Sequence, residues 1–111
     1  RSMPRYRWRW RRGIGLGPGR PMKPRLIGIR PDINRFTPVI PGAEQLTKEP
    51  ITLTYDELEA LRLVDYQGLT QEEAAERMGI SRGTVWRCLD SARKKAVAML
   101  VEGRELIITE G

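Results

Sequence analysis

The chain has 111 residues, of which 20 are Lys or Arg, 14 are Asp or Glu and none is His, so its formal net charge is +6. A chain of this length forms one modest domain with a tail, which argues against a deep enzyme cleft. The lack of histidine excludes Ser-His-Asp triads and His-containing metal sites, and the single cysteine excludes an internal disulfide and Cys-rich zinc sites. We therefore expect a protein that is not an enzyme and that uses no cofactor or metal.

The positive charge is concentrated near the N-terminus. Residues 1–30 contain ten Lys or Arg and no acid, which gives +10, whereas residues 31–111 contain ten Lys or Arg and fourteen acids, which gives −4. This distribution favours a polyanionic partner, and nucleic acid is a better candidate than a membrane because the few aromatic residues of the basic stretch bury little apolar area. No apolar run approaches the ~20 residues of a membrane span, so we expect a soluble, cytoplasmic protein.

Residues 1–24 are expected to form a disordered basic arm and linker. The arm, RYRWRWRR, alternates aromatic rings with cations, and the linker, GIGLGPGRPMKP, is rich in residues that break regular structure. The linker glycines lack the G-x-G-x-x-G spacing and a preceding strand, so they do not predict a nucleotide-binding loop. The candidate DNA-backbone contacts of the arm are Arg5, Arg7, Arg9, Arg11 and Arg12.

Residues 25–50 combine short apolar runs with four prolines, and neither a helical nor a strand period persists in them. We expect an extended segment that packs on the domain and is anchored by Ile27, Ile29 and Phe36.

Two helix starts are predicted in the next part of the chain. Thr54 and Glu57 have the spacing of a capping box, in which each side chain bonds the backbone amide of the other residue. The helix that they open is expected to run to about Tyr66. Thr70 and Glu73 repeat the spacing and open a short helix that stops at Gly79.

A third helix is predicted to begin after Ser81. The apolar residues that follow recur every three or four positions, as in a long amphipathic helix, and form an inward stripe: Val85, Cys88, Leu89, Ala92, Ala96, Met99 and Leu100. A short helix, a tight turn with Gly79 and a longer helix are the helix-turn-helix arrangement. The predicted fold class is therefore mainly α, a three-helix helix-turn-helix domain over residues 51–111, with an αα-hairpin that has no role in DNA binding as the alternative.

A short β-strand is also expected near the C-terminus. The apolar stretch ELIIT at residues 105–109 is too short to be stable alone, so it would pair with residues near Ile51 or with a second subunit. Because helix-turn-helix proteins commonly bind as two-fold dimers, we expect a homodimer.

Candidate DNA contacts follow from the motif, since its second helix enters the major groove. Arg82 and Arg87 can each donate two hydrogen bonds to a guanine edge. Trp86 either contacts a thymine methyl group or packs beneath the extended segment, and the run from Arg93 to Lys95 either binds phosphate or forms a solvated face. Including the start of the second helix, which can bind a phosphate, the candidate DNA-binding residues are Thr70, Gln71, Ser81, Arg82, Gly83, Thr84, Trp86 and Arg87.

The stretch LTYDELEALRLVDYQGLTQEEAAERMGISRGTVWRCLDSARKKAVAML resembles the helix-turn-helix of sigma-factor region four. Together with RPDINRFTPVIPG upstream and VEGRELIITEG downstream, it is similar to a small prokaryotic family of uncharacterised proteins that is described only as a domain of unknown function. The resemblance covers residues 24–111. It implies a DNA-binding transcriptional regulator, sometimes joined in that family to a C-terminal domain like those that handle the nitrogenase iron-molybdenum cofactor.

Two further functions remain open as alternatives to double-stranded DNA binding. The first is RNA binding, because arms that mix cations and aromatic rings stack readily on unpaired bases. The second is a sigma-like adaptor that docks RNA polymerase or another regulator through the acidic face of the first helix.

Overall fold

The computed structural model describes residues 8–10, 25–28, 34–39, 41 and 48–110, and for residues 8–10 it describes the backbone alone. The first helix, Tyr55–Leu61, continues without a break into one π-helical turn, Arg62–Tyr66. In chain order, the elements of the described residues are β1 (Trp8–Trp10), β2 (Arg25–Ile27), β3 (Arg35–Phe36), β4 (Ile51–Thr54), α1 (Tyr55–Leu61), α2 (Gln71–Met78), α3 (Arg82–Glu102) and β5 (Leu106–Thr109).

Strand β5 lies at the centre of a three-stranded mixed sheet with the order β3-β5-β4. It runs parallel to β4, with Ile51 opposite Leu106 and Thr54 opposite Thr109, and antiparallel to β3, with Phe36 opposite Leu106. The predicted pairing of ELIIT with residues near Ile51 is confirmed. The predicted mainly α fold class is correct for the three helices but leaves out the sheet. Strands of two to four residues show no sequence period, so the sheet could not be recognised from the sequence.

Strands β1 and β2 form a separate antiparallel ribbon in which Trp8 pairs with Ile27 and Trp10 with Arg25. Residues 8–10 of the arm, which was expected to be disordered, therefore form a strand. Aromatic and charged residues alternate there, as in a strand, and β2 provides the edge with which it pairs. Ile27 is buried, as expected of an anchor, whereas Phe36 lies largely exposed in β3. Ile29 lies outside the described residues, and so do residues 1–7 and 11–24 of the arm and linker.

The helix starts follow the predicted caps. The Thr54 amide donates to Glu57 Oε1 at 2.9 Å, and the Thr54 hydroxyl donates to Asp56 Oδ1 at 2.5 Å. At α2, both bonds of the capping box form, since the Thr70 amide donates to Glu73 at 2.9 Å and the Glu73 amide donates to the Thr70 hydroxyl at 3.1 Å. The bonds from the backbone amides satisfy donors that a helix start would otherwise leave without partners.

Two apolar clusters hold the helices and the sheet together. One joins α1, α2 and the first half of α3, and it contains Leu63, Met78, Val85 and Leu89, all buried. The other joins β4 and β5 to Ala92 of α3. Cys88 is buried in the first cluster, as predicted for the inward stripe of α3, whereas the prediction is wrong for Leu100, which is exposed near the end of the helix. Helix α3 therefore contributes to both clusters and packs against the other helices through its first half and against the sheet from Ala92 onward.

Candidate nucleic-acid interface

The turn between α2 and α3 is short and held by backbone hydrogen bonds. Gly79 ends α2 in the left-handed conformation, with φ of +68°, and the Ile80 amide donates to the Ala75 carbonyl at 3.1 Å. Ser81 then caps α3, because its hydroxyl accepts the Thr84 amide at 3.2 Å. Glycine is favoured at position 79 because a Cβ makes this conformation unfavourable. Only Ile80 and Ser81 separate the turn glycine from α3.

The first turns of α3 present an exposed face beside a buried one. Val85, Cys88 and Leu89 are buried, whereas the Arg82 side chain is 66% exposed and Trp86 is 46% exposed. Residues four apart lie above one another on a helix, so Arg82 and Trp86 form one row and Gly83 and Arg87 the next. Trp86 was expected either to contact DNA or to pack beneath the extended segment. In the structure, nearly half of the surface of this residue is open to solvent.

Gly83 has no packing role within the described residues. A Cβ placed on it would approach only the Arg87 guanidinium, at 4.0 Å. Its backbone is helical, and glycine in a helix costs about 1 kcal/mol relative to alanine. Neither conformation nor packing requires glycine here.

The hydroxyl groups near the start of α3 are engaged inside the chain. Ser81 and Thr84 share a hydrogen bond of 2.9 Å between their hydroxyls, and Arg87 donates to the Thr84 hydroxyl at 3.3 Å. Thr70 is similarly occupied by its capping box with Glu73. The Arg82 guanidinium and the Trp86 ring take no part in these bonds, and Gln71, the first residue of α2, is half-buried.

Acidic side chains lie close to this face. Arg82 Nη1 is 3.4 Å from Glu72 Oε2, and both side chains are well exposed. A surface pair of this kind contributes at most about 1 kcal/mol, so Arg82 can exchange this partner for another anion. A shallow concavity of about 510 Å³ lies along the turn and is lined by Glu72, Glu76 and Arg82 together with Ala75, Gly79, Ile80 and Ser81.

The basic run from Arg93 to Lys95 is paired with acids of the chain. Arg93 donates two hydrogen bonds to Asp65, at 2.8 and 2.9 Å, which lowers the pKa of Asp65 and raises the pKa of Arg93. Lys94 lies 3.3 Å from Asp90. Lys95 donates to both carboxylate oxygens of Glu57. The run was expected either to bind phosphate or to form a solvated face, and the structure instead pairs each of its three residues with an acid of the chain; Lys94 is its most exposed member.

The carboxyl group of Glu57 connects α1 to α3. Burial alone would raise its pKa, but hydrogen bonds from Lys95, Ser91 and the Thr54 amide together keep the pKa below its ordinary value. Ser91 donates at 2.7 Å and Lys95 at 2.8 Å. Glu57 therefore stays ionised near neutral pH and holds the middle of α3 against the start of α1.

Four further polar residues attach the ribbon to α1, and none of them was predicted from the sequence: Arg25, Asp56, Glu59 and Arg62. Arg25 of β2 forms a buried ion pair of 2.9 Å with Asp56. Glu59 accepts the Gly28 amide at 2.8 Å and binds Arg62 through two hydrogen bonds. A Cβ at position 28 would collide with the Arg62 guanidinium, so a larger residue there would require the Arg62 side chain to move. The sequence did contain one indication of these attachments. The stretch YDELEAL has three acids, which are more than a helix cap requires.

The structure places only the β1 part of the basic arm, and it describes the backbone of that part. Arg9 lies in β1 opposite Leu26, and nothing about its side chain is described. Arg5, Arg7, Arg11 and Arg12 lie outside the described residues. Leu26, on the strand that pairs with β1, lies against Gly79 of the turn. The backbone of the ribbon is thus placed next to the element that leads into α3.

Within the part of the chain that is described, no group of three or more His, Cys, Asp or Glu residues is arranged to hold a metal ion. None of the helices in these residues is both long enough and apolar enough to cross a membrane.

These features define a small protein in which three helices pack with a mixed sheet and the start of the longest helix is exposed behind a glycine turn. The chain belongs to the family described as Protein of unknown function DUF134, whose model matches residues 11–111.

Relatives in this family cover most of the chain. The UPF0251 protein TK0562 of Thermococcus kodakarensis is 64% identical over 87 residues, which are 78% of this chain and 76% of the relative. The UPF0251 protein PYRAB12660 of Pyrococcus abyssi is 63% identical over 84 residues, 76% of each chain. A UPF0251 protein of Methanosarcina acetivorans is 47% identical over 93 residues, 84% of this chain and 81% of the relative. No solved structure matches the chain.

Proposed function

We propose that this protein binds double-stranded DNA sequence-specifically through a helix-turn-helix formed by α2 and α3, and that it acts as a prokaryotic transcriptional regulator. The observation that carries the proposal is the arrangement around Gly79: two capped helices, joined by the three residues 79–81, leave Arg82, Trp86 and Arg87 exposed on the first turns of α3. A helix presented in this way fits the major groove.

Arg82 and Arg87 are the base-contacting residues of this proposal. Each guanidinium can form two hydrogen bonds with a guanine edge, and each such contact contributes roughly 1–3 kcal/mol of discrimination. Among the described residues, Arg82 has the weak pair with Glu72 as its one partner, and Arg87 has one hydrogen bond of 3.3 Å. Both can therefore turn to a base without breaking a strong internal interaction.

Gly83 supports close approach of DNA to the helix. Neither its backbone conformation nor its surroundings in the chain require glycine. A side chain at this position would stand between Arg87 and a base edge, so a groove partner accounts for the residue that the fold does not explain.

The basic arm supplies phosphate attraction that the remainder of the chain lacks. Residues 31–111 carry a net charge of −4, and acids such as Glu72 and Glu76 lie beside the turn. A domain with this charge approaches DNA poorly on its own, whereas five arginines in eight residues release counterions from the phosphate backbone.

The test is selection of bound sequences from random duplex DNA, performed with the parent chain and with Arg82→Ala, Arg87→Ala and Arg35→Ala. Arg35→Ala is the matched control because it removes an exposed arginine of β3 at the opposite end of α3. We expect the first two variants to lose preference at specific positions while the control selects the parent sequence.

A consensus that is unchanged in both α3 variants would refute the assignment of α3 as the recognition helix. Competition with single-stranded RNA of matched length, at the same salt concentration, distinguishes DNA binding from the main alternative, RNA binding. If RNA displaces the parent from its selected duplex more effectively than unlabelled duplex does, the protein is an RNA-binding protein. If the protein selects no DNA sequence, and the immobilised protein retains RNA polymerase, the results would favour the sigma-like adaptor.

A further inference from the structure

Strand β2 is attached to the helices through each of its three residues. Arg25 forms the buried ion pair with Asp56 at the start of α1, and Ile27 is 1% exposed. Between them, Leu26 lies against Gly79 at the end of α2. Because β2 contacts both α1 and α2, it is a fixed edge beside the turn that leads into α3.

Strand β1 pairs with this edge and so joins the basic arm to it. The backbone register places position 9 opposite Leu26, the residue that lies against the turn. Paired strands are about 4.8 Å apart, so the backbone of Arg9 is one strand spacing away from that residue. In the sequence, two of the five arginines of the arm precede β1, one lies in it and two follow it. The arm is therefore joined to the helices at a defined place beside the turn.

We propose that the β1–β2 ribbon is a second DNA-contacting surface, which holds the basic arm against the phosphate backbone next to the groove that α3 enters. This inference rests on the proposed function and adds a position to the phosphate contacts of the arm. The arm then binds one stretch of the DNA backbone at a fixed distance from the bases that Arg82 and Arg87 contact.

The charge around the turn supports this position for the arm. Glu72 and Glu76 are exposed and line the shallow concavity beside Gly79. Both repel phosphate, and interactions between exposed charges are largely screened beyond about 8 Å at physiological salt. Cations that offset these two acids therefore have to lie close to the turn. A strand held beside Gly79 meets this condition, whereas a free tether distributes the same charges over a large volume.

The attachment of β2 supports the same inference. A two-stranded ribbon is marginally stable by itself in water. Here the ribbon is held by a buried ion pair and by the Gly28 amide, which donates to the Glu59 carboxylate at 2.8 Å. A tether that supplied only charge would need no fixed orientation, but a surface that binds DNA at one place requires it.

Two double variants separate strand pairing from composition. Trp8→Pro with Trp10→Pro keeps all five arginines, but proline lacks an amide donor and fixes φ near −65°, far from the −140° of an antiparallel strand. Trp8→Val with Trp10→Val removes the same two rings and favours a strand, so it is the matched control. Hydrogen exchange of the β2 amides verifies that the ribbon is lost in one variant and kept in the other, and circular dichroism verifies that the helices are intact in both.

Titration of a mixed-sequence duplex of 30 base pairs at three salt concentrations measures the contribution of the ribbon, since phosphate contacts do not depend on sequence. We expect the proline variant to bind about tenfold more weakly than the valine variant. Its slope of log affinity against log salt should be about 1–3 less steep, because each lost phosphate contact contributes about 0.9.

An iron chelate attached to β1 tests where the ribbon meets DNA. Trp8→Cys provides a thiol for the chelate, while the native Cys88 is buried. On a duplex that contains the selected sequence, the chelate should cut the DNA within a few nucleotides on one flank of the site. The same chelate in Trp8→Cys combined with Trp10→Pro should cut over a wider range, because the strand no longer pairs.

Two results would overturn the proposal. The first is equal affinity and equal salt slope in the proline and valine variants, which would mean that the ribbon only stabilises the fold. The second is cleavage that is as dispersed with the ribbon intact as without it. In both cases a parent that still selects a DNA sequence retains the proposed function, whereas a parent that selects no sequence would refute the proposed function itself.

Discussion

Leu26 lies directly against Gly79: its Cδ1 atom is 3.5 Å from the position that a Cβ on residue 79 would occupy. This contact joins the β1–β2 ribbon to the turn that leads into α3. The N-terminal segment and the start of α3 are therefore structurally coupled, although the two residues are 53 positions apart in the sequence.

The contact also defines what a substitution of Gly79 would cost. A Cβ at 3.5 Å from Leu26 is an ordinary van der Waals contact, so the penalty of Gly79→Ala comes from the left-handed backbone, about 1–2 kcal/mol. We expect that loss in the free energy of unfolding measured with urea. Gly79→Asn should lose less, because asparagine tolerates this conformation. Equal losses for both substitutions would show that the space beside Leu26, rather than the backbone, is limiting.

Gly83→Ala should have the opposite effect on stability. Its backbone is helical and its surroundings are open, so alanine should raise the free energy of unfolding by up to about 1 kcal/mol. The same variant should bind the selected duplex more weakly if DNA approaches the helix here. An unfolding measurement and a binding titration on one preparation separate the effects, and a variant that is more stable and binds DNA normally would remove Gly83 from the interface.

The buried pair of Arg25 and Asp56 should couple the ribbon to α1 energetically. Asp56 is fully buried, so Arg25→Met leaves a carboxylate without its cation and should cost about 3–5 kcal/mol. Asp56→Asn in the Arg25→Met background removes the stranded charge and should recover part of the loss. Urea unfolding of the parent, both single variants and the double variant measures the coupling. Additive losses would mean that the two groups do not interact.

Caps and core stripes could be predicted from the sequence, but the attachments between distant segments could not. Ser81 and the box at Thr70 involve partners three residues away, and any helix start there must satisfy the same amides. Arg25 and Asp56 are 31 positions apart, and no local pattern joins them. The sheet escaped detection for the same reason, since β3 contains two residues and acquires its role only from β5.

The candidate site shows the same division. The exposure of Arg82 and Arg87 could be predicted from helical spacing, because Val85 and Leu89 fix which side is buried. The pairing of Arg93 with Asp65 could not, because it depends on where the π-helical turn after α1 ends.

The stability of the fold should fall in acid partly through Glu57. Its pKa is depressed in the folded protein, so its contribution is complete above its ordinary pKa of 4.5 and is lost as the pH falls below 4.5 through the folded-state value. Glu57→Gln should be less stable than the parent at pH 7, and the difference should narrow toward pH 3. Urea midpoints at both pH values test this, with Glu110→Gln at an exposed position as the control. A constant difference would show that the contribution of Glu57 does not depend on its charge.

The arginines of the arm should control affinity and salt dependence but not sequence preference. Replacement of Arg5, Arg7, Arg9, Arg11 and Arg12 by glutamine keeps the length of the chain and removes five charges. If all five contact phosphate, the slope of log affinity against log salt should become about 4–5 less steep, since each contact contributes about 0.9. Titrations at three salt concentrations on the selected duplex and on a scrambled one measure both properties. We expect the variant to weaken on both duplexes by the same factor, because phosphates are present in every sequence. A larger loss on the selected duplex would show that the arm contacts bases, and the pairing of β1 with β2 next to the turn would then be the feature that positions it.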